Sequence, residues 1–224
     1  MRSLIPNEAK KFNQPPAGGL SVYLLGPPRV EWLGQPWPIS RRQARGLLFR
    51  LAAEPNALPR EHLVFLFWPD TPEAVARRNL TRLLTHLRRA LPAPDLLLAN
   101  DDCVGLDPVR TWSDAAAFTG RAAASAQTVA LYRGPFLAGF SLPACTEFEA
   151  WSQQERAALE RRYLAALEEL IEDRAAHGAY AEAIDAAQRY LATDELAEQV
   201  QRRLAPVRAV RGCSGARAGC QPLA

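Results

Sequence analysis

Between Val75 and Leu91 the chain carries five arginines, one histidine and no acidic residue. Guanidinium groups suit phosphate oxygens and the O6/N7 edge of guanine, so the chemistry on offer is recognition of a polyanion. On a helix advancing about 100° per residue, Leu84, Leu87 and Leu91 fall within roughly 40° of Leu80, and Leu83 flanks them. That ridge predicts the buried side. Arg78, Arg82, Thr85 and Arg89 fall on the opposite side, between roughly 140° and 200°, in a row about 16 Å long. His86 lies beside the row, while Arg77 and Arg88 sit nearer the core edge, within reach of flanking phosphates. Like charges spaced i,i+4 weaken an isolated helix, and bound phosphates would relieve the repulsion. The plainer alternative is a solvated surface in a chain that uses arginine almost exclusively.

Other chemistry is poorly supplied. Only Lys10 and Lys11 are lysines among 27 basic residues, and both precede the first credible element. A phosphate-binding P-loop and a Schiff base each need a lysine in the folded part. Cys103, Cys145, Cys213 and Cys220 show no metal-ligand spacing, and the density of a disulfide framework is missing. His62 and His177 have no nucleophile or acid at a catalytic spacing and read as structural. The expectation is therefore no catalytic residue, no metal and no cofactor.

The 224 residues are 48% hydrophobic and 23% charged, enough for one or two domains with real cores. No run reaches the roughly 18 apolar residues a membrane span needs, and Met1 to Gly19 has no apolar signal region. A soluble, cytoplasmic, nucleoid-associated protein is expected. The net charge of +3 hides an asymmetry. Residues 1–110 hold 15 basic against 10 acidic residues, a net of +5, and 111–204 hold 9 against 14, a net of −5. The tail 205–224 adds three arginines and no acid. A basic half suggests a polyanion partner, and an acidic half a protein-facing or solvated role.

The elements that must position the arginine row follow from local signals. Residues 1–19 read as a flexible leader. Leu20 to Gly26, Arg29 to Trp32 and Pro36 to Ile39 predict a small antiparallel meander bounded by prolines. Ser40 reads as the N-cap of a helix whose apolar side is Ala44, Leu47, Leu48 and Leu51, with Arg41, Arg42, Arg45 and Arg50 on other faces. Pro59 opens a second helix that buries Leu63, Leu66 and Phe67. Thr71 is expected to cap the third, arginine-bearing helix, with Pro72 in its first position. Leu96 to Leu98 and Cys103 to Leu106 predict a hairpin across Asn100-Asp101-Asp102. Strands, three helices and a hairpin make the layout of a winged helix-turn-helix, whose third helix enters the major groove. Beyond it, Glu149 to His177 and Ala179 to Thr193 predict a helical pair turned by Gly178. Gly178, Tyr180, Glu182, Ala183, Ile184, Leu191 and Asp194 fall at the spacing of a tetratricopeptide repeat's second helix, and Ala183 and Ala187 permit close approach. One such repeat cannot bury its own face; Ser113 to Ala130 and a helix from Glu195 are the candidates to stack on it.

The strings RRNLTRLLTHLRRAL, TWSDAAAF, LYRGPFLAGF, FEAWSQQERAALERRYLAALEEL and GAYAEAIDAAQRYLATDELAE resemble the SARP-type transcriptional regulators of bacteria, over Leu20 to about Leu204. The resemblance implies a mainly α fold with small β-sheets. An OmpR-like winged helix-turn-helix domain (20–110) would be followed by a tetratricopeptide-like bacterial transcriptional activator domain (111–204). It also implies an activator that binds direct repeats in promoter DNA head to tail, as a possible homodimer on DNA, and contacts RNA polymerase. Arg78, Arg82, Thr85 and Arg89 would then face the groove, with Arg77, Arg88, His86 and Arg42 as backbone contacts.

Three departures stand out. The turn Asn100-Asp101-Asp102 is acidic, which disfavours a wing contact with phosphate. Glu195 stands where the family pattern has proline. After Leu204 the periodicity ends in APVRAVRGCSGARAGCQPLA, which reads either as a truncated or frameshifted end, with an incomplete helical domain expected, or as a disordered basic tail. A competing function from another class is a protein-interaction scaffold built on the helical half, without specific DNA binding.

Overall fold

A computed structural model describes residues 18–120 and 125–193. The leader up to residue 17, the helix expected from Glu195 and the tail 205–224 lie outside the described residues. Residues 18–120 with 131–159 form one compact unit, and 125–130 with 160–193 a second.

The first unit begins with an antiparallel meander as expected, although its third strand is shorter than the expected Pro36 to Ile39 and begins one residue earlier. Strand β1 (Leu20–Tyr23) pairs antiparallel with β2 (Arg29–Trp32), which pairs with β3 (Gln35–Pro36). All four β1 residues are buried. Helix α1 spans Arg42–Ala53, and Ala44, Leu47, Leu48 and Leu51 are buried as their spacing requires. Ser40 does not cap it. Trp37 donates its N–H to the Val30 carbonyl and its indole N–H to the Ala90 carbonyl, and Ile39 is buried. The lead-in is thereby held extended through Arg41, which takes the N-cap position without a side-chain bond.

Strand β4 (Leu58–Pro59) leads into α2 (Arg60–Phe67), which buries Leu63, Leu66 and Phe67. Helix α3 (Glu73–Ala90) starts one residue later than expected, with Pro72 at the N-cap and no bond from Thr71. A residue before proline is disfavoured in the helical region, which keeps Thr71 out of the helix, and the Pro72 carbonyl takes the first helical bonds, from Val75 and Ala76. A 3-10 turn (Pro94–Leu96) then leads to β5 (Leu97–Ala99) and β6 (Cys103–Leu106), the predicted hairpin. Its other edge is β4, giving the order β4-β6-β5. At the tip, the Asn100 carboxamide accepts from the N–H groups of Asp102 and Cys103.

A strand missing from the sequence reading, β7 (Thr111–Ser113), closes the first sheet parallel to β1, with Leu20 opposite Thr111. Three residues carry too little alternation to be read as a strand. Ser113 caps α4 (Asp114–Thr119). The first residue of α4 joins helix to sheet: the Asp114 carboxylate accepts from the N–H groups of Leu24 (2.7 Å) and Leu25 (3.2 Å), where β1 has run out of strand partners. Asp114 is 2% exposed, and burial pushes its carboxyl up to about 6 against these bonds and the Arg133 charge. Phe140, Phe148 and Trp151 complete the core of this unit against Phe49, Phe67 and Phe136.

Arg50, which the helical spacing puts on a face other than the apolar side of α1, is nevertheless buried. It is 6% exposed, its guanidinium 4.9 Å from the Trp151 ring, with one amine 3.4 Å from His62 Nε2 and the other 3.9 Å from Glu54. Its aliphatic stem packs as a hydrophobe, so a polar letter occupies a core position. Burial lowers the pKa values of both Arg50 and His62, which fits a neutral imidazole accepting from the guanidinium.

Helix α6 (Thr146–Ala176) gives its first half to this unit and its remainder to the second, which it forms with α5 (Ala126–Val129) and α7 (Tyr180–Thr193). Ala183, Ala186 and Ala187 are buried, and the Tyr190 hydroxyl donates to Glu168 at 3.0 Å. Gly178 makes the turn at φ +74°, with its N–H bonded to Ala175 and that of Ala179 to Arg174. The space around its α-carbon is open, so substitution tests backbone conformation alone. Gly178→Ala is expected to lower unfolding stability by about 1–2 kcal/mol in a denaturant titration; an unchanged midpoint would mean that this turn does not set the helical pair.

Candidate nucleic-acid interface

The leucine ridge and the arginine row lie on opposite sides of α3. Leu80, Leu83, Leu84, Leu87 and Leu91 are at most 5% exposed, and Arg78, Arg82, Thr85, His86 and Arg89 are exposed. Burying five leucines fixes the rotation of the helix, since turning the row inward would bring the ridge into water at about 2 kcal/mol per side chain.

The row is largely uncommitted. Arg82 and Arg89 make no hydrogen bond, ion pair or ring contact among the described residues. Arg78 donates to the Ala74 carbonyl of its own helix at 3.2 Å, and Thr85 to Thr81 at 2.9 Å. No acid is paired with any of the four.

The remaining candidates are placed differently. Arg77 is paired with Glu73 (2.5 Å) and Glu61 (3.6 Å). Arg88 is half-buried and donates to the Leu97 carbonyl at 3.3 Å, tying α3 to the hairpin. Arg42 lies on α1, with its guanidinium on the Ser141 carbonyl and hydroxyl. The structure thus brings together Arg78, Arg82, Thr85 and Arg89, with His86 alongside, and commits Arg77, Arg88 and Arg42 to protein partners.

Two flanks frame the row. On one side the bond from Trp37 to Ala90 sets the β3–α1 corner against the end of α3. On the other, α2, α3 and the hairpin tip enclose a cleft of about 560 Å³, lined by Arg60, Glu61, Arg77, Thr81, Asp101 and Asp102 among others. Arg60 was passed over in the sequence because it stands alone outside the arginine run. A basic residue directly after the Pro59 that opens a helix was the available signal.

An exposed row of cationic donors on the third helix, a hairpin beside it and a helical unit downstream define a winged helix-turn-helix protein with a tetratricopeptide-like helical region. Residues 107–217 match the family model described as Bacterial transcriptional activator domain. The match begins within the last residues assigned to the first domain and runs past Leu204, where the periodicity was read as ending. The chain carries a bacterial transcriptional activator domain, and its resemblance to the SARP-type transcriptional regulators holds. No curated protein matches the chain. Among solved structures it is similar to Mycobacterium tuberculosis EmbR in complex with a low affinity phosphopeptide, at 18% identity and a TM-score of 0.43. That similarity covers 82% of this chain and 65% of the other, so the chain spans less than two thirds of that structure. Among the described residues no helix is long and apolar enough to cross a membrane, and no group of three metal-ligating side chains gathers.

Proposed function

We propose that this transcriptional regulator is a sequence-specific DNA-binding activator, which occupies direct repeats in promoters and contacts RNA polymerase. The observation that carries the reading is the outward row on α3, with Arg82 and Arg89 unpaired above a buried leucine ridge. Arg82 and Arg89 read base edges, Arg78 and Thr85 complete the contact in the groove, and His86 meets the backbone beside it. The head-to-tail repeat and the polymerase contact rest on the family resemblance. Regulation rather than catalysis is the role of such a protein.

The reading is tested by selecting bound fragments from a random duplex pool with the full chain. Recovery of a directly repeated motif is the expected result; recovery of no enriched motif would overturn sequence-specific binding.

A second reading, the interaction scaffold, has one observation in its favour. In the second unit a groove of about 390 Å³ is lined by Ala126, Val129, Ala130, Leu170, Ala181 and Ala186, with ion pairs Arg174–Glu182 and Arg189–Asp185 at its rim. Capture of a partner without any salt-sensitive DNA complex would favour it.

A further inference from the structure

The cleft between α2, α3 and the hairpin tip holds an arginine to which the DNA-binding reading assigns no role. Arg60 is the first residue of α2. Its backbone N–H donates to the Asp102 carbonyl at 2.8 Å and its Nε to the Asn100 carbonyl at 2.7 Å. Both bonds hold the hairpin tip. They use one of the five guanidinium N–H donors, and the two terminal amines stay free to take an anion. Arg60 is half-buried and lines the cleft opposite Thr81, which sits at about 100° on α3, between the leucine ridge and the outward row.

Charge in this cleft is unusually balanced against DNA. Arg77, the other cation lining it, is already neutralised by Glu73 and Glu61. Asp101 and Asp102 line the same space and are exposed. A strand running beside α3 toward the hairpin would meet these carboxylates with Arg60 as the one lining cation free of an acidic partner. We infer that Arg60 is a backbone-phosphate contact of the DNA complex and also the residue that positions the acidic hairpin tip beside the duplex. The inference rests on the DNA-binding reading.

The two roles separate experimentally. Arg60→Gln keeps an amide donor for the Asn100 carbonyl but removes the charge. Binding of the full chain to a labelled duplex of mixed sequence, and to a duplex recovered from the pool, is measured over a salt series. The expected result is a fall in affinity of about tenfold on both duplexes, with a slope of log K against log salt shallower by about 0.9, one phosphate's worth. Asp101→Asn with Asp102→Asn is expected to raise affinity on both duplexes. An Arg60→Gln protein with weaker binding and an unchanged slope would show that Arg60 only holds the hairpin, overturning the phosphate contact. Unchanged affinity and slope would overturn it as well. Absence of any salt-dependent complex in the unsubstituted chain would instead defeat the DNA-binding reading itself.

Discussion

Arg82→Ala combined with Arg89→Ala abolishes retention of a specific duplex at a salt concentration where the unsubstituted chain is fully bound. Each well-placed arginine on a base edge is worth about 1–3 kcal/mol, so the pair removes about 2–6 kcal/mol, provided the contacts act independently. The two side chains are seven residues apart and share no partner, which favours additivity. Both are exposed and unpaired, so the fold loses little: surface substitutions of this kind stay within about 0.5 kcal/mol. Helix α3 is even expected to gain slightly, because Arg82 stands one turn from Arg78. The check is a mobility-shift series on the double variant, with circular dichroism to confirm its helix content. Specific binding that survives the pair would place recognition elsewhere.

Asp114→Ala acts on the fold instead, and its effect depends on pH. The substitution leaves the N–H groups of Leu24 and Leu25 buried without acceptors, at about 1–3 kcal/mol each. Against this stands the strain of holding a buried carboxylate. The folded carboxyl titrates at about 6 against an ordinary value of 3.8, so between those pH values the native state holds a proton that the unfolded chain has released. Stability from this group is full below about pH 4 and is lost as pH rises to about 6, at about 1.4 kcal/mol per unit. The gap between the unsubstituted chain and Asp114→Ala should therefore be widest near pH 4, narrow through pH 6 and stay constant above it. Denaturant titrations of both proteins at several pH values provide the check; a gap independent of pH would mean that Asp114 stays ionised in the fold.

The arginine pair and Asp114 also show what the amino-acid order reveals and what it conceals. The arginine row was legible because a helix converts sequence spacing directly into angle, and five leucines define the buried side without help from any other element. The hairpin was legible from its turn, since Asn100 has the side chain that bonds the backbone two and three residues on. Asp114 was illegible because its partners are 90 and 89 residues away, on a strand end that no local pattern connects to α4. Strand β7 stayed hidden for the same reason: its pairing with β1 is long-range, and three residues have no period. The burial of Arg50 was illegible because helical phase places a side chain without saying what covers it, and Trp151 lies about a hundred positions downstream. The committed state of Arg77, Arg88 and Arg42 likewise depends on Glu61, Leu97 and Ser141, which come close only in the folded chain.

The central claim is that the arginine row of α3 lies in a major groove. Methylation interference addresses it on the duplex recovered from the random pool, because guanine N7 faces only that groove. Guanines in both half-repeats whose N7 methylation blocks binding, and which lose that sensitivity with Arg82→Ala and Arg89→Ala, are the predicted result. Tight binding indifferent to N7 methylation throughout the repeats would contradict it.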